Sequence, residues 1–204
     1  MAIGENIRRL LRYRMCLEKF RNFGLDTTYS YMIGKESGVS PEQVRKDFSN
    51  FKIHGKKKGG YNINELLDAI NTIFNKDVVQ HIIIMGSGNI GEALIKYKGF
   101  EKRNIKIAGV FDIDPVKLKK NYNIPIYPMD MLHEIIQTYK VKIAVIAVPA
   151  VAAQEVCYNL TECGITGIMN FSPVILKAPE SVNIYNVDLI PILEALIYYS
   201  GISQ

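Results

Sequence analysis

Gly86-Ser87-Gly88-Asn89-Ile90-Gly91 follows directly on the apolar run Val78-Val79-Gln80-His81-Ile82-Ile83-Ile84-Met85, and an acidic residue, Asp112, lies 21 positions beyond Gly91. Glycines at this spacing after a strand suit a pyrophosphate. Gly86 permits a tight turn, Gly88 lets backbone approach the phosphates, and Gly91 lets the next helix pack closely on the sheet. A helix expected over residues 89–98 would offer unpaired N–H groups and the positive end of its dipole to that anion. A second apolar run, Ile105 to Phe111, ends at Asp112, whose carboxylate can accept both hydroxyls of an adenosine ribose while repelling a 2′-phosphate. Asp114 adds negative charge and no arginine immediately follows, so the expected ligand is NADH or NAD⁺ rather than the phosphorylated dinucleotide.

The elements that must position such a pocket continue along the chain. Pro115 to Lys120 predicts a short helix, Ile124 to Tyr127 a strand, Met129 to Tyr139 a helix, and Val141 to Val148 an apolar strand of the kind buried on both faces of a parallel sheet. Residues 151–163 predict another helix, Gly167 to Phe171 a strand, and Val182 to Val187 an edge-like strand before a last helix. Ligands of an open parallel sheet gather beyond the carboxyl ends of its strands. Val148, Pro149, Ala150, Phe171 and Ser172, with Asn170, are therefore expected at the nicotinamide end.

Charge divides the chain. Residues 1–78 hold 14 Lys and Arg against 9 Asp and Glu, whereas residues 79–204 hold 11 against 11. This asymmetry predicts two domains with different partners, 1–78 and 79–204, with the boundary near Asn75 to Val78. Within the basic part, Ile7, Leu10, Leu11, Met15 and Leu17 predict a helix closing at Gly24, and Thr28 is a candidate cap for a second helix ending before Gly38. Ser40-Pro41-Glu42-Gln43 then gives an N-cap, a proline at the first helical position and a capping box, so the segment predicts a helix-turn-helix. On the last of these helices Val44, Phe48 and Phe51 share one face. That leaves Ser40, Gln43, Arg45, Lys46 and Asn50 for base edges and phosphates.

Ile53-His54-Gly55-Lys56-Lys57-Lys58-Gly59-Gly60-Tyr61-Asn62-Ile63 predicts a wing, two strands joined by a basic turn. Lys56, Lys57 and Lys58 at a hairpin tip repel one another unless phosphates or a minor groove supply counter-charge, and Gly59 lets the turn come close. Glu65 to Phe74, with Leu66, Leu67, Ile70 and Ile73 as its stripe, predicts the last helix of this domain.

Other classes are disfavoured. Arg8, Arg9, Arg12 and Arg14 interrupt any signal-peptide core, and no window approaches the roughly 20 apolar residues of a membrane span, so a cytoplasmic protein with no membrane partner is expected. Cys16, Cys157 and Cys163 have no CxxC spacing, and neither a metal site nor a disulfide framework is expected.

The chain as a whole resembles the Rex family of redox-sensing transcriptional repressors. The matching segments are Ser40 to Phe48, Gly55 to Asn62, Gly86 to Gly91, Val148-Pro149-Ala150-Val151-Ala152-Ala153-Gln154, Gly167 to Pro173, and Val187-Asp188-Leu189. The resemblance implies an α/β architecture: an N-terminal winged helix-turn-helix domain, then a Rossmann-like (CoA-binding-like) parallel-sheet domain with a C-terminal dimerisation helix, 189–203, exchanged between subunits. It implies a homodimer on inverted-repeat operator DNA, released when NADH occupies the pocket. The charge-poor segment Leu189 to Ser200, apolar on nearly every face, agrees with such a helix. Carried over by position, Tyr97 would approach the nicotinamide, and Arg9 and Asp188 would pair between subunits. At Arg9 the family's usual Arg-Leu-Pro-Leu-Tyr is replaced by Arg9-Leu10-Leu11-Arg12-Tyr13.

A physical basis for sensing follows. The nicotinamide ring is cationic in NAD⁺ and neutral in NADH, so a desolvated pocket walled by Tyr97, Ala150 and Phe171 should favour the reduced ring. The competing readings are an NAD-dependent oxidoreductase, which lacks any histidine after residue 150 for acid–base work, and a CoA-binding module, against which Asp112 argues.

Overall fold

The computed structural model describes residues 4–55, 59–74, 78–114 and 123–201. Lys56, Lys57 and Lys58, and the helix expected over Pro115 to Lys120, lie outside the described residues. The chain divides into two compact units, Ile3–Val78 and a second from Val79 onward.

The first unit contains α1 (Glu5–Asn22), β1 (Thr27–Thr28), α2 (Ser30–Ser37), α3 (Pro41–Asn50), β2 (Tyr61–Asn62) and α4 (Ile63–Ile73). Leu10, Tyr13, Leu17 and Phe20 recur at helical spacing and are buried along α1. Met15, expected on that stripe, falls on the other side and is 64% exposed. Helix α2 stops at left-handed Gly38, and α3 starts where the Ser40 hydroxyl accepts from the Gln43 N–H at 3.2 Å, with Pro41 in the first turn. Val44 and Phe48 of α3 pack with Leu10, Tyr13, Ile33, Ile63 and Ile70 in one core.

Three further expectations are corrected in this unit. Thr28 is not a helix cap. It is fully buried in β1, opposite Tyr61 of the antiparallel partner β2, and Tyr29 precedes α2. The wing's first strand is absent from Ile53 to Gly55. Lys52, at φ 57°, turns the chain sharply after α3, and Ile53 drops into the core instead of extending along Tyr61. The capping box is half-formed, since the Gln43 amide is directed at Asp47 rather than back to Ser40.

The second unit is one parallel sheet of six strands: β3 (Gln80–Met85), β4 (Ile105–Phe111), β5 (Ile126–Tyr127), β6 (Ile143–Ile146), β7 (Gly167–Asn170) and β8 (Asn183–Asn186). Their order across the sheet is β5-β4-β3-β6-β7-β8. The chain therefore winds outward from β3 in one direction, then restarts at β6 and winds outward in the other. This leaves a crevice at the carboxyl ends of β3 and β6, the topological switch point where open α/β sheets bind ligands. Successive strand residues face opposite sides. Ile83, Met85, Phe111, Ala144 and Ile146 pack with α6 (Leu132–Tyr139) and α7 (Ala150–Glu162), while Ile82, Ile84, Val110 and Val145 pack on the face of α5 (Asn89–Ile95). The last helix, α8 (Ile190–Tyr199), follows β8.

Candidate cofactor site and nucleic-acid interface

A cavity of about 900 Å³ opens at the switch point. Gly86, Gly88, Asn89 and Ile90 contribute to its lining from the turn after β3, Phe111 and Asp112 from the end of β4, Val148 and Pro149 from the loop after β6, and Phe171 from the end of β7. Gly86 adopts φ 97°, and a Cβ there would stand 2.6 Å from the Ala147 carbonyl oxygen. At Gly91 a Cβ would meet the Gly86 carbonyl oxygen at 2.0 Å, so α5 lies flush against the turn. At Gly88 a Cβ would meet nothing within 4 Å. Packing therefore requires the first and third glycines, while the second leaves bare backbone facing the cavity. That division of roles fits a pyrophosphate lying on the turn.

Asp112 is 8% exposed and its Oδ2 accepts from the Ser87 N–H at 2.8 Å and the Ser87 hydroxyl at 2.6 Å. Its Oδ1 accepts from the Asp114 N–H at 3.0 Å. The carboxylate thus faces the cavity and also fixes the glycine turn, with Ser87 buried behind it. Ser172 is buried too, its hydroxyl donating to the Val148 carbonyl at 2.6 Å. Asn170, fully buried, donates to the Ser172 and Val174 carbonyls and to Asn186 Oδ1, and accepts from the Ser172 N–H. These bonds hold Phe171 and Pro173 in the cavity wall.

Two expected members stand elsewhere. Ala150 is exposed at the start of α7 and does not line the cavity. Tyr97 is 59% exposed just past the end of α5, its ring edge-on to Phe100 at 5.1 Å, beside a separate hollow that includes Ile107 and Ile124. Conversely, Ala152, Glu155, Val156 and Asn159 line the cavity along one face of α7, and Met129 faces it from beyond β5. Sequence reasoning missed these. The i, i+3, i+4, i+7 spacing of 152, 155, 156 and 159 was the available signal.

In the first unit, Ser40, Arg45, Lys46 and Asn50 are exposed on α3 and Gly59 is exposed before β2. The Arg45 guanidinium donates to the Ser30 hydroxyl at 2.8 Å and to Glu42 at 2.7 Å. Gln43 is half-buried and donates to Asp47 Oδ1 at 2.9 Å. Asp47 is fully buried and also receives Arg9 in a bidentate pair at 2.6 and 2.7 Å and the Tyr13 hydroxyl at 2.7 Å. Burial alone would push the Asp47 carboxyl up, but its Arg9, Tyr13 and Gln43 donors hold it below the usual carboxylate range. Burial and the Asp47 bond raise the Tyr13 phenol well above its ordinary value.

Arg9 is thus engaged within its own unit. To pair with Asp188 of another subunit it would have to abandon a buried carboxylate, a change of about 3–5 kcal/mol against it. Asp188 is exposed, and its carboxylate accepts from the Ile190 N–H at 3.0 Å at the start of α8. Every residue of α8 is exposed, including Ile192, Leu193, Leu196 and Ile197.

Cys16, Cys157 and Cys163 are free thiols, each pushed up in pKa by burial. Among the described residues, no group of His, Cys, Asp and Glu could hold a metal ion, and no helix is long and apolar enough to cross a membrane.

Comparison with known proteins agrees with both halves. Residues 77–174 match the family model described as "CoA binding domain", and residues 5–49 the one described as "Putative DNA-binding protein N-terminus". The chain is 39% identical to the redox-sensing transcriptional repressor Rex of Carboxydothermus hydrogenoformans over 94% of this chain and 93% of that one. It is 41% identical to the Rex of Pelotomaculum thermopropionicum over 94% and 91%. Among solved structures, RSP in complex with β-NAD⁺ and operator DNA superimposes with a TM-score of 0.90 at 31% identity, covering 98% of this chain and 94% of that one. RSP in complex with β-NADH gives 0.85 at 32%, covering 98% and 95%, and RSP is itself a Rex-family repressor. Identity at this level over nearly the full length of both partners places the chain in the Rex family of redox-sensing transcriptional repressors.

Proposed function

We propose that this protein is a DNA-bound redox sensor: a homodimer whose winged helices hold an inverted-repeat operator and whose Rossmann units bind NADH or NAD⁺, with NADH releasing the DNA. The observation that carries this is the cavity at the switch point of the sheet, with bare backbone at Gly88 and the buried carboxylate of Asp112, on the same chain as a helix-turn-helix. The turn Gly86 to Asn89 would carry the pyrophosphate, and Asp112 would share its oxygens between Ser87 and the ribose hydroxyls. The nicotinamide would lie toward Val148, Pro149 and Phe171, with Ser172 bracing that wall. A largely apolar wall favours the neutral reduced ring over the cationic oxidised one, since an unpaired charge is costly to desolvate.

Arg45, Lys46, Asn50 and Ser40 would meet the operator from α3, with Lys56, Lys57, Lys58 and Gly59 on the adjoining groove. Preference for NADH switches nothing unless NADH also binds one arrangement of the dimer better than the arrangement that DNA prefers. A coupling of roughly 1–3 kcal/mol is typical of such linkage. Titrating NADH at fixed salt into protein bound to duplex DNA should lower its affinity by about 5- to 150-fold, while NAD⁺ lowers it less. Bound NADH with undiminished DNA affinity would defeat the mechanism. The match to a model named for CoA favours a second reading, a CoA site, which fails if NADH binds and CoA does not compete.

A further inference from the structure

We propose that Tyr29 and Tyr31 form a second contact to the operator, a neutral ledge that holds the phosphodiester backbone between the recognition helix and the wing. The inference rests on the DNA-binding reading above and adds a site to it. Tyr29 and Tyr31 stack on each other, ring centroids 5.7 Å apart and planes 19° from parallel, and are 42% and 60% exposed. Among the described residues neither phenol hydroxyl has a hydrogen-bond partner, and both stand on stacked rings. The pair is bracketed on both sides by DNA-reading elements. Ser30, between the two tyrosines, receives the Arg45 guanidinium of α3 at 2.8 Å. On the other side, Gly60, just before β2, lies so close that a Cβ there would stand 2.9 Å from Tyr29 Cε1 and 2.6 Å from the Thr28 carbonyl oxygen.

The order across this surface is therefore Arg45, Ser30, the tyrosine pair, then Gly60. A duplex that meets both Arg45 and Gly59–Gly60 must pass over the tyrosines. What passes there is backbone, because the two elements read neighbouring grooves and a phosphate ridge separates them. Tyrosine hydroxyls donate to phosphate oxygens and their rings cover deoxyribose, contacts that position the duplex but carry no sequence information. They are also uncharged, so they release no counterions, whereas each phosphate-bound lysine or arginine contributes about one to the salt slope.

This separation supplies the test. Tyr29→Phe, Tyr31→Phe and the double variant keep the stacked rings and remove only the hydroxyls. The readout is fluorescence anisotropy of full-length protein on a duplex selected from a random pool by the unaltered protein, and on a scrambled duplex of the same composition. The double variant should bind both duplexes about tenfold more weakly, with the slope of affinity against salt, the NADH affinity and the thermal midpoint unchanged. Arg45→Ala, in contrast, should flatten the salt slope. Unchanged affinity in the double variant, a loss confined to the selected duplex, or a shallower salt slope would each overturn the ledge while leaving the DNA reading intact. If the unaltered protein bound neither duplex at low ionic strength, the DNA reading itself would fall.

Discussion

The carboxylate of Asp47 is buried on the inner side of α3 and tolerated there because Arg9, Tyr13 and Gln43 surround it with donors. Removing one partner of a buried pair leaves the other uncompensated, which typically costs about 3–5 kcal/mol. Asp47→Asn should therefore destabilise the first unit by that order in urea unfolding, with NADH affinity in the second unit unchanged. A loss under about 1 kcal/mol would show that the pair adds no net stability. The pH dependence has a definite sign. Because the folded carboxyl titrates below its unfolded value of about 3.9, its contribution is complete above that pH and disappears as pH falls toward the folded value. Acid unfolding of the first unit should begin below about pH 4 and be shallower in Asp47→Asn. The spacing of Val44 and Phe48 was enough to identify the buried face of α3, but it could not show which long side chains fold back onto it. Gln43 and Arg9 reach inward because Asp47 is there to receive them, a contact set by chain segments 38 residues apart for Arg9.

Elements defined by local spacing were legible, and those defined by distant pairing were not. The run ending at Met85, the glycine turn and the strand ending at Phe111 are continuous in sequence, and the structure reproduces them within a few residues. In contrast, β1 is two threonines with no local strand pattern, and it exists because Tyr61 and Asn62 return to pair with it. The cavity's α7 face went unread for a related reason: Glu155 and Asn159 are ordinary exposed helix positions until β4 and Met129 stand opposite them. At the glycine turn the local logic is strong enough to predict a failure. Gly91→Ala would place a methyl 2.0 Å from the Gly86 carbonyl oxygen, well inside contact distance, and backbone on both sides has little freedom to yield. The variant should lift α5 off the turn, lower the thermal midpoint of the second unit and weaken NADH by at least about tenfold, as calorimetry would report. Gly88→Ala, with open space at that position, should leave stability unchanged and weaken NADH alone. Equal effects of the two substitutions on stability would refute this assignment of roles.

At the scale of the whole molecule, α8 poses the problem of an apolar helix left exposed along its length among the described residues. Ile192, Leu193, Leu196 and Ile197 remain 46–60% exposed in the single chain. Burying a side chain of this kind contributes about 1.5–3 kcal/mol, so leaving the helix in water forfeits a large share of a domain's net stability. On the proposed reading, a second copy of the same helix face would cover it, with the two-fold symmetry that an inverted-repeat operator requires. Leu193→Glu together with Ile197→Glu would set two charges on the least exposed of the large apolar residues of α8. Sedimentation equilibrium should then report monomers at concentrations where the unaltered protein is dimeric. DNA binding should suffer beyond the lost contact area, because two linked winged helices gain about 10²- to 10⁴-fold in avidity over one. On the proposed DNA contacts of Arg45 and Lys46, a monomer would keep weak, salt-sensitive attachment but lose its discrimination between an inverted repeat and a single half-site. If the doubly substituted protein still sedimented as a dimer, the subunit contact would lie on another surface, and the exposure of α8 would need a different occupant.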